Sequence, residues 1–144
     1  MAYENVLTTI TLQSSQDMTN YQYCFVSFST LGYVMPTTGP TNLAGAYSMP
    51  IGVLQDRTTA VYGPCKVAID GVSKLYCGNT SGSETAQVIS FGTRISPSSA
   101  SIGHGVASTA AALAIGAFSL SAGPTSGAMG YVTARLTCVN IVST

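Results

Sequence analysis

The chain has 144 residues, of which only 7% are charged, with five Lys and Arg balancing five Asp and Glu; an ordinary soluble domain carries roughly 25% charged residues. This length suits one domain with its own core, and a neutral, charge-poor composition excludes the electrostatic footprint of a direct nucleic-acid binder. It also implies a surface of Ser, Thr, Gly, Asn and Gln, or one covered by partners, because little charge remains to keep a free monomer soluble.

The opening M-A-Y-E-N-V carries Glu4 and no basic residue, so no secretory signal is expected and synthesis in a cytoplasm is. Residues 1–12 are read as an N-terminal arm or first strand, with the β-branched run Val6–Leu12 as its extended part, and residues 13–144 as a single β-rich domain. Gln13–Asn20 is polar and predicts a loop. Tyr21–Ser29 predicts a strand with Tyr21, Tyr23 and Phe25 on one face and Cys24, Val26 and Phe28 on the other. Two apolar faces mean a strand between two packed layers, or one with a face at an interface. Leu31–Val34 predicts a turn and short strand. Met35–Tyr47, with Pro36, Gly39, Pro40 and Gly45, predicts a loop.

The clearest stretch is Pro50–Cys77. It reads as a strand, a loop over Asp56–Pro64 and a second strand of period two. In that second strand Cys65, Val67, Ile69, Gly71, Ser73, Leu75 and Cys77 alternate with positions that include Lys66, Asp70 and Lys74. A pleated strand buries one such set and leaves the other wet. Gly71, in mid-run, predicts a bulge or bend. Gly78–Glu84 is turn chemistry, Gln87–Phe91 predicts a strand with Ile89 and Phe91 on one face, and Ser96–His104 predicts a loop. Across Val106–Leu120, Ser108 is a candidate helix cap for Thr109–Leu113; the expectation is a loop or one helical turn, then a strand over Leu113–Phe118. After a turn at Ser121–Gly127, Met129–Val142 predicts a last strand with Val132, Ala134, Leu136 and Cys138 on one face and Tyr131, Thr133, Arg135 and Thr137 on the other. Pro50-Ile51-Gly52-Val53 is echoed by Ala114-Ile115-Gly116-Ala117, which suggests two similar strand–loop–strand units. The expected class is all-β: a compact barrel or sandwich of short antiparallel strands with an extended N-terminal arm and little helix.

The chain offers little to chemistry. Cys24, Cys65, Cys77 and Cys138 form no C-x-x-C, His104 is the sole histidine, and no metal site is expected; the cysteines are expected to be core thiols. The acids are scattered, and Asp56 and Asp70 are expected in surface ion pairs with Arg57 and Lys66. A serine triad would need His104, which lies in Gly103-His104-Gly105 with nothing in the local sequence to orient its ring. No phosphate-binding glycine motif occurs, and Ala110–Ala117, broken by Gly116, falls far short of the roughly 18 apolar residues of a membrane span. No catalytic, cofactor-binding or metal-binding residue is assigned, no cofactor is expected, and the chain is not read as an enzyme. Eight tyrosines without a tryptophan suit large contact surfaces with polar edges.

Ile51-Gly52-Val53-Leu54-Gln55, a loop with Ala60 and Gly63, and then Val67-Ala68-Ile69-Asp70-Gly71-Val72-Ser73-Lys74 resemble the capsid decoration, or cement, proteins of tailed bacteriophages. In that family an I-G-V-x-Q strand leads through a loop to a V-x-x-x-G-V-S-K-like strand. Ile115–Gly123 followed by Val132-Thr133-Ala134-Arg135-Leu136 is similar to the family's closing segment, and Leu12–Val34 to its opening unit. Leu120 and Ser121 depart from the pattern, which often has an acid there, and Ser96–Ala112 is longer and richer in Ser and Ala than the family's loop. The resemblance implies a β-rich structural protein of the virion, made in the host cytoplasm. It would bind the outer surface of an icosahedral head, often as a homotrimer, and cement neighbouring major capsid proteins, with no direct contact to nucleic acid or membrane. Another β-rich virion part, a tail-tube or fibre module, is the alternative, and a small hydrolase a more remote one.

Overall fold

The computed structural model describes residues 5–37, 49–78, 89–98, 101–108, 114–123 and 129–140. They form an all-β protein whose axis is one long strand. The strands are β1 (Asn5–Gln13), β2 (Phe25–Phe28), β3 (Val34–Pro36), β4 (Gly52–Leu54), β5 (Pro64–Cys77), β6 (Arg94–Pro97), β7 (Gly105–Ala107), β8 (Ala114–Ser119) and β9 (Gly130–Asn140). β5 has 14 residues and belongs to two systems. Toward its C-terminal end it closes a five-stranded barrel through β7, β6, β8 and β9, with β9 pairing back onto β5. Its N-terminal half pairs with β1 on one edge and β4 on the other, and β4 continues through β2 to β3. A bridge from Ser14 to Val34 ties the end of β1 to β3. Most neighbours are antiparallel; β5 and β7 run parallel, joined at Cys77 and Gly105.

Two apolar cores result. The barrel core holds Leu75, Cys77, Ile89, Ile95, Ala117, Val132, Ala134 and Leu136, together with Phe25, Val53 and Ala68 from the adjoining sheet. The second holds Met18, Val26, Val34, Leu54, Cys65 and Val67. Adjacent residues of β2 (Phe25, Val26) and β4 (Val53, Leu54) therefore enter different cores, so these strands form a wall with apolar groups on both sides, as two apolar faces predict. Fully burying side chains of this size contributes roughly 1.5–3 kcal/mol each.

β5 shows how one strand serves both cores. Its odd positions are buried throughout apart from half-buried Ile69, while Lys66 and Asp70 are exposed and Lys74 is half-buried. The odd residues do not share one core, however. Cys65 and Val67 lie in the second core and Leu75 and Cys77 in the barrel, whereas even-numbered Ala68 already faces the barrel. The phase changes at Gly71, whose φ of 100° suits glycine and few other residues. The paired ladder with β1 slips between Val6 and Thr8 and again between Thr8 and Thr9. This irregularity, centred on the Thr8–Asp70 pair beside Gly71, is the bulge or bend expected there, and across it the same sequence alternation passes from one core to the other.

Several boundaries differ from expectation. Tyr21–Ser29 is not one strand: Thr19–Tyr21 is a single 3-10 turn, and β2 starts only at Phe25. Between them Tyr23 has φ of 63°. That conformation is held by its N–H donating to the Leu54 carbonyl at 2.7 Å and its own carbonyl accepting from the Tyr76 N–H at 2.8 Å. The predicted strand at Leu31–Val34 begins only at Val34, and Met35 and Pro36 of the predicted loop belong to it. Ile89 is buried, but Phe91 sits in a turn and is 76% exposed, so the two do not share a face. Ser96 and Pro97 are in β6 rather than a loop, because Ile95, Ser96 and Pro97 pair with Ala107, Val106 and Gly105. The candidate helix at Thr109–Leu113 lies outside the described residues, as do residues 1–4 of the expected arm. Asn5–Leu12 is part of β1, laid antiparallel along β5 of the same chain.

Cys24, Cys65 and Cys77 are free and buried. Burial pushes the Cys24 thiol up to about 12 and, with the nearby Asp56 charge, Cys65 up to about 11. Burial also raises Cys77, with a further push from Cys24 and an opposing hydrogen bond to Gly105. Folding therefore favours protonated thiols, and stability falls as pH rises from the ordinary thiol value near 9 through about 11 and about 12. At neutral pH these three thiols are expected to resist iodoacetamide until denaturant is added, with mass spectrometry as the readout. Rapid alkylation of the native chain at any of them would contradict this burial.

Candidate functional site

The described surface concentrates aromatic groups where the end of β5 meets the start of β9. In that ladder Lys74 lies opposite Thr133 and Tyr76 opposite Tyr131. Directly paired residues project from the same face, and because Leu75 and Val132 are in the barrel core, this face is the outer one. The Tyr131 ring lies 5.0 Å from that of Tyr76 and 5.8 Å from Tyr23, the latter edge-on. Such ring pairs contribute roughly 0.5–1.5 kcal/mol beyond the area they bury. The positive-φ turn at Tyr23 delivers its ring to this face, and the Lys74 ammonium stands 5.4 Å above that ring. Met129 and Tyr131 are 45% and 51% exposed, and the Tyr76 hydroxyl donates to Met129 Sδ at 3.8 Å.

His104 completes the cluster. Its ring meets Tyr76 edge-on at 4.7 Å, and its Nδ1–H donates to the Gly78 carbonyl at 3.2 Å. The imidazole is thus oriented after all, by groups distant in sequence that Gly103-His104-Gly105 does not reveal. Burial lowers its pKa below 6.5, against the opposing Gly78 bond, so the ring is neutral at pH 7. Its fixing groups are a carbonyl and a tyrosine ring, and these hold it as part of an aromatic patch.

The scattered acids are used locally. Asp56 accepts from the Lys66 backbone N–H at 3.1 and 3.2 Å, and Arg57 Nε donates to Gln22 Oε1 at 3.0 Å. The expected side-chain ion pairs at Asp56 are replaced by these bonds. Asp70 caps the Gly71 N–H at 2.8 Å, and Asp17 accepts from the Thr19 N–H and hydroxyl, which lowers its pKa. Among the described residues no group of three or more His, Cys, Asp or Glu is placed to hold a metal ion, and no helix is long and apolar enough to cross a membrane.

A second surface feature lies at the other end of the molecule. An open cleft of about 550 Å³ runs between Thr11–Gln13 of β1, the Leu31–Tyr33 turn and Pro64, and none of the residues lining it is charged. Tyr33 packs against Tyr62 beside it, with ring centres 4.9 Å apart.

The sequence singles out tyrosine as a residue type for contact surfaces but does not group Tyr23, Tyr76 and Tyr131. The β5–β9 register and the Tyr76–Tyr23 backbone bond bring them together. No protein-family model, curated protein or solved structure matches this chain.

Proposed function

We propose that this chain is a structural protein of a bacteriophage virion that binds the outside of the icosahedral head and cements neighbouring major capsid proteins, as a homotrimer. The observation that carries the reading is the cluster of Tyr23, Tyr76 and Tyr131 with Met129 where β5 meets the start of β9, Met129 and Tyr131 being exposed, in a chain only 7% charged. Aromatic and methionine side chains are enriched at the centres of protein interfaces. Here the tyrosines are braced by one another, so docking freezes few rotamers, which favours affinity. The segment that resembles the decoration proteins, Val67–Lys74, leads directly into this face. Attachment at many points on a head lets contacts of modest strength suffice.

The test is to mix the purified chain with expanded, empty heads of the phage that encodes it. Binding in stoichiometric proportion and a rise in the melting temperature of the head are expected. Absence of binding would sink the reading, and rings of the protein around a tail in electron micrographs would transfer it to a tail module.

A further inference from the structure

Among the described residues, the cations of the barrel stand away from Asp17 and Asp56. Three of its five cationic side chains, Lys74, Arg94 and Arg135, stand on the barrel. Arg94 pairs with Phe118, Phe118 with Arg135, and Arg135 with Val72. This sets Arg94, Phe118, Arg135 and Val72 in one row across β6, β8, β9 and β5. Neighbouring strands lie about 4.8 Å apart, so the arginines are rooted roughly 10 Å apart with the phenyl ring between them. The row is on the outer face, since Ile95, Ala117, Ala134 and Leu136 beside it in sequence are in the barrel core. Both arginines are exposed, and Phe118 and Val72 are half-buried. One outer step along β5 and β9 comes Lys74 opposite Thr133, and one further comes Tyr76 opposite Tyr131, so the row is continuous with the tyrosine face.

The described acids do not answer these cations. Asp17 and Asp56 belong to the other half, where they accept from the backbone amides of Thr19 and Lys66. Asp70, two residues before Val72, is turned to the Gly71 amide. Among the described residues neither guanidinium has an acidic partner.

We propose that the Arg94–Phe118–Arg135 row is a seat for carboxylates, and that the protein surface it meets is acidic. This rests on the head-binding reading and adds to it the chemistry of the partner: paired Asp or Glu side chains on the capsid surface. The planar guanidinium fork matches a carboxylate with two parallel hydrogen bonds, which an ammonium does not. Phe118, between the two forks, excludes water as the partner docks, and this strengthens both pairs. Protein carboxylates are favoured over nucleic-acid phosphates because duplex DNA presents a charge every 1.7 Å or so, and binding it commonly takes 6–10 phosphate contacts. A neutral chain with three cations on this wall is matched to a few fixed anions instead.

The experiment compares the full chain with Arg94→Gln/Arg135→Gln and Arg94→Lys/Arg135→Lys on expanded heads, from about 50 to about 500 mM salt. A parallel arm uses heads whose surface carboxylates have been converted to neutral amides with carbodiimide and ethanolamine. Both positions are exposed, so all three proteins are expected to melt together. The native chain should bind more weakly as salt rises. The glutamine variant should bind at least tenfold more weakly at low salt and be nearly indifferent to salt, the lysine variant should fall between, and amidated heads should cost the native chain as much as losing its arginines. Equal binding by all three proteins, unaffected by amidation, would overturn the arginine seat and leave head attachment standing. Failure of the native chain to bind unmodified heads at any salt would overturn both. Arginine-dependent binding to duplex DNA in place of heads would overturn the choice of a protein partner.

Discussion

Replacing Gly52 with alanine is expected to cost the fold about 3 kcal/mol, at the upper end of what overpacking usually costs. An added Cβ would fall on the carbonyl oxygen of Ala68 and lie 2.7 Å from Val67 Cγ1. The obstruction is backbone, so no rotamer change relieves it. β4 has only three residues, and it cannot slide away, because Val53 is fixed in one core and Leu54 in the other. Gly116, its counterpart in the sequence echo, provides a contrast. An added Cβ there meets the ring of Phe25, with Cζ at 2.5 Å. Gly116→Ala should therefore be partly rescued by Phe25→Leu, while no single side-chain truncation rescues Gly52→Ala. Denaturant unfolding of the single and double variants measures this. A Gly52→Ala loss below about 0.5 kcal/mol, the range of an ordinary surface change, would show that the β4–β5 approach is looser than described.

The second large effect concerns the contact face. Tyr131→Ala is expected to weaken attachment to heads by about 10- to 100-fold, the range of a central aromatic in an interface. The tyrosine is half exposed and its ring meets those of Tyr23 and Tyr76, so the variant should lose roughly 1–3 kcal/mol of stability with the two ring pairs, and binding is compared well below its melting temperature. Phe91→Ser is the control: Phe91 is the more exposed of the two and is not part of the tyrosine cluster, and its loss should leave binding intact. If both variants bind like the native chain, the tyrosine face is not the contact. If both lose binding equally, attachment depends on general surface apolarity.

The period-two pattern of Pro64–Cys77 was legible because both cores demand the same local rule, apolar groups on alternate residues. The switch between cores was not. A bulge changes the phase of the pleat while leaving the printed alternation intact, and only the partners of Val67 and Leu75 reveal it. Tyr23 was misread for a related reason: its strand-like neighbours promised extension, but hydrogen bonds to Leu54 and Tyr76, both distant in sequence, hold it at positive φ. β6 was hidden by Pro97 and the serines that follow it, which carry turn signals although Ile95 and Ser96 pair with Ala107 and Val106. The echo around Gly52 and Gly116 marks two close approaches of different kinds, a strand backbone at Gly52 and the Phe25 ring at Gly116, and each glycine precedes a residue, Val53 or Ala117, of the barrel core. The surface was least legible, since Arg94, Phe118 and Arg135 meet only through sheet register.

The sharing of β5 has a mechanical consequence. Its first half is held by β1 and β4 and its second by β9, all antiparallel, so a pull that drags one half of the molecule against the other acts along this strand. Antiparallel ladder bonds lie perpendicular to their strands. Such a pull loads them in shear, many at once, instead of opening them singly like a zipper. A shell that swells and strains its outer coat would meet in β5 a tie bar that yields as a unit or not at all.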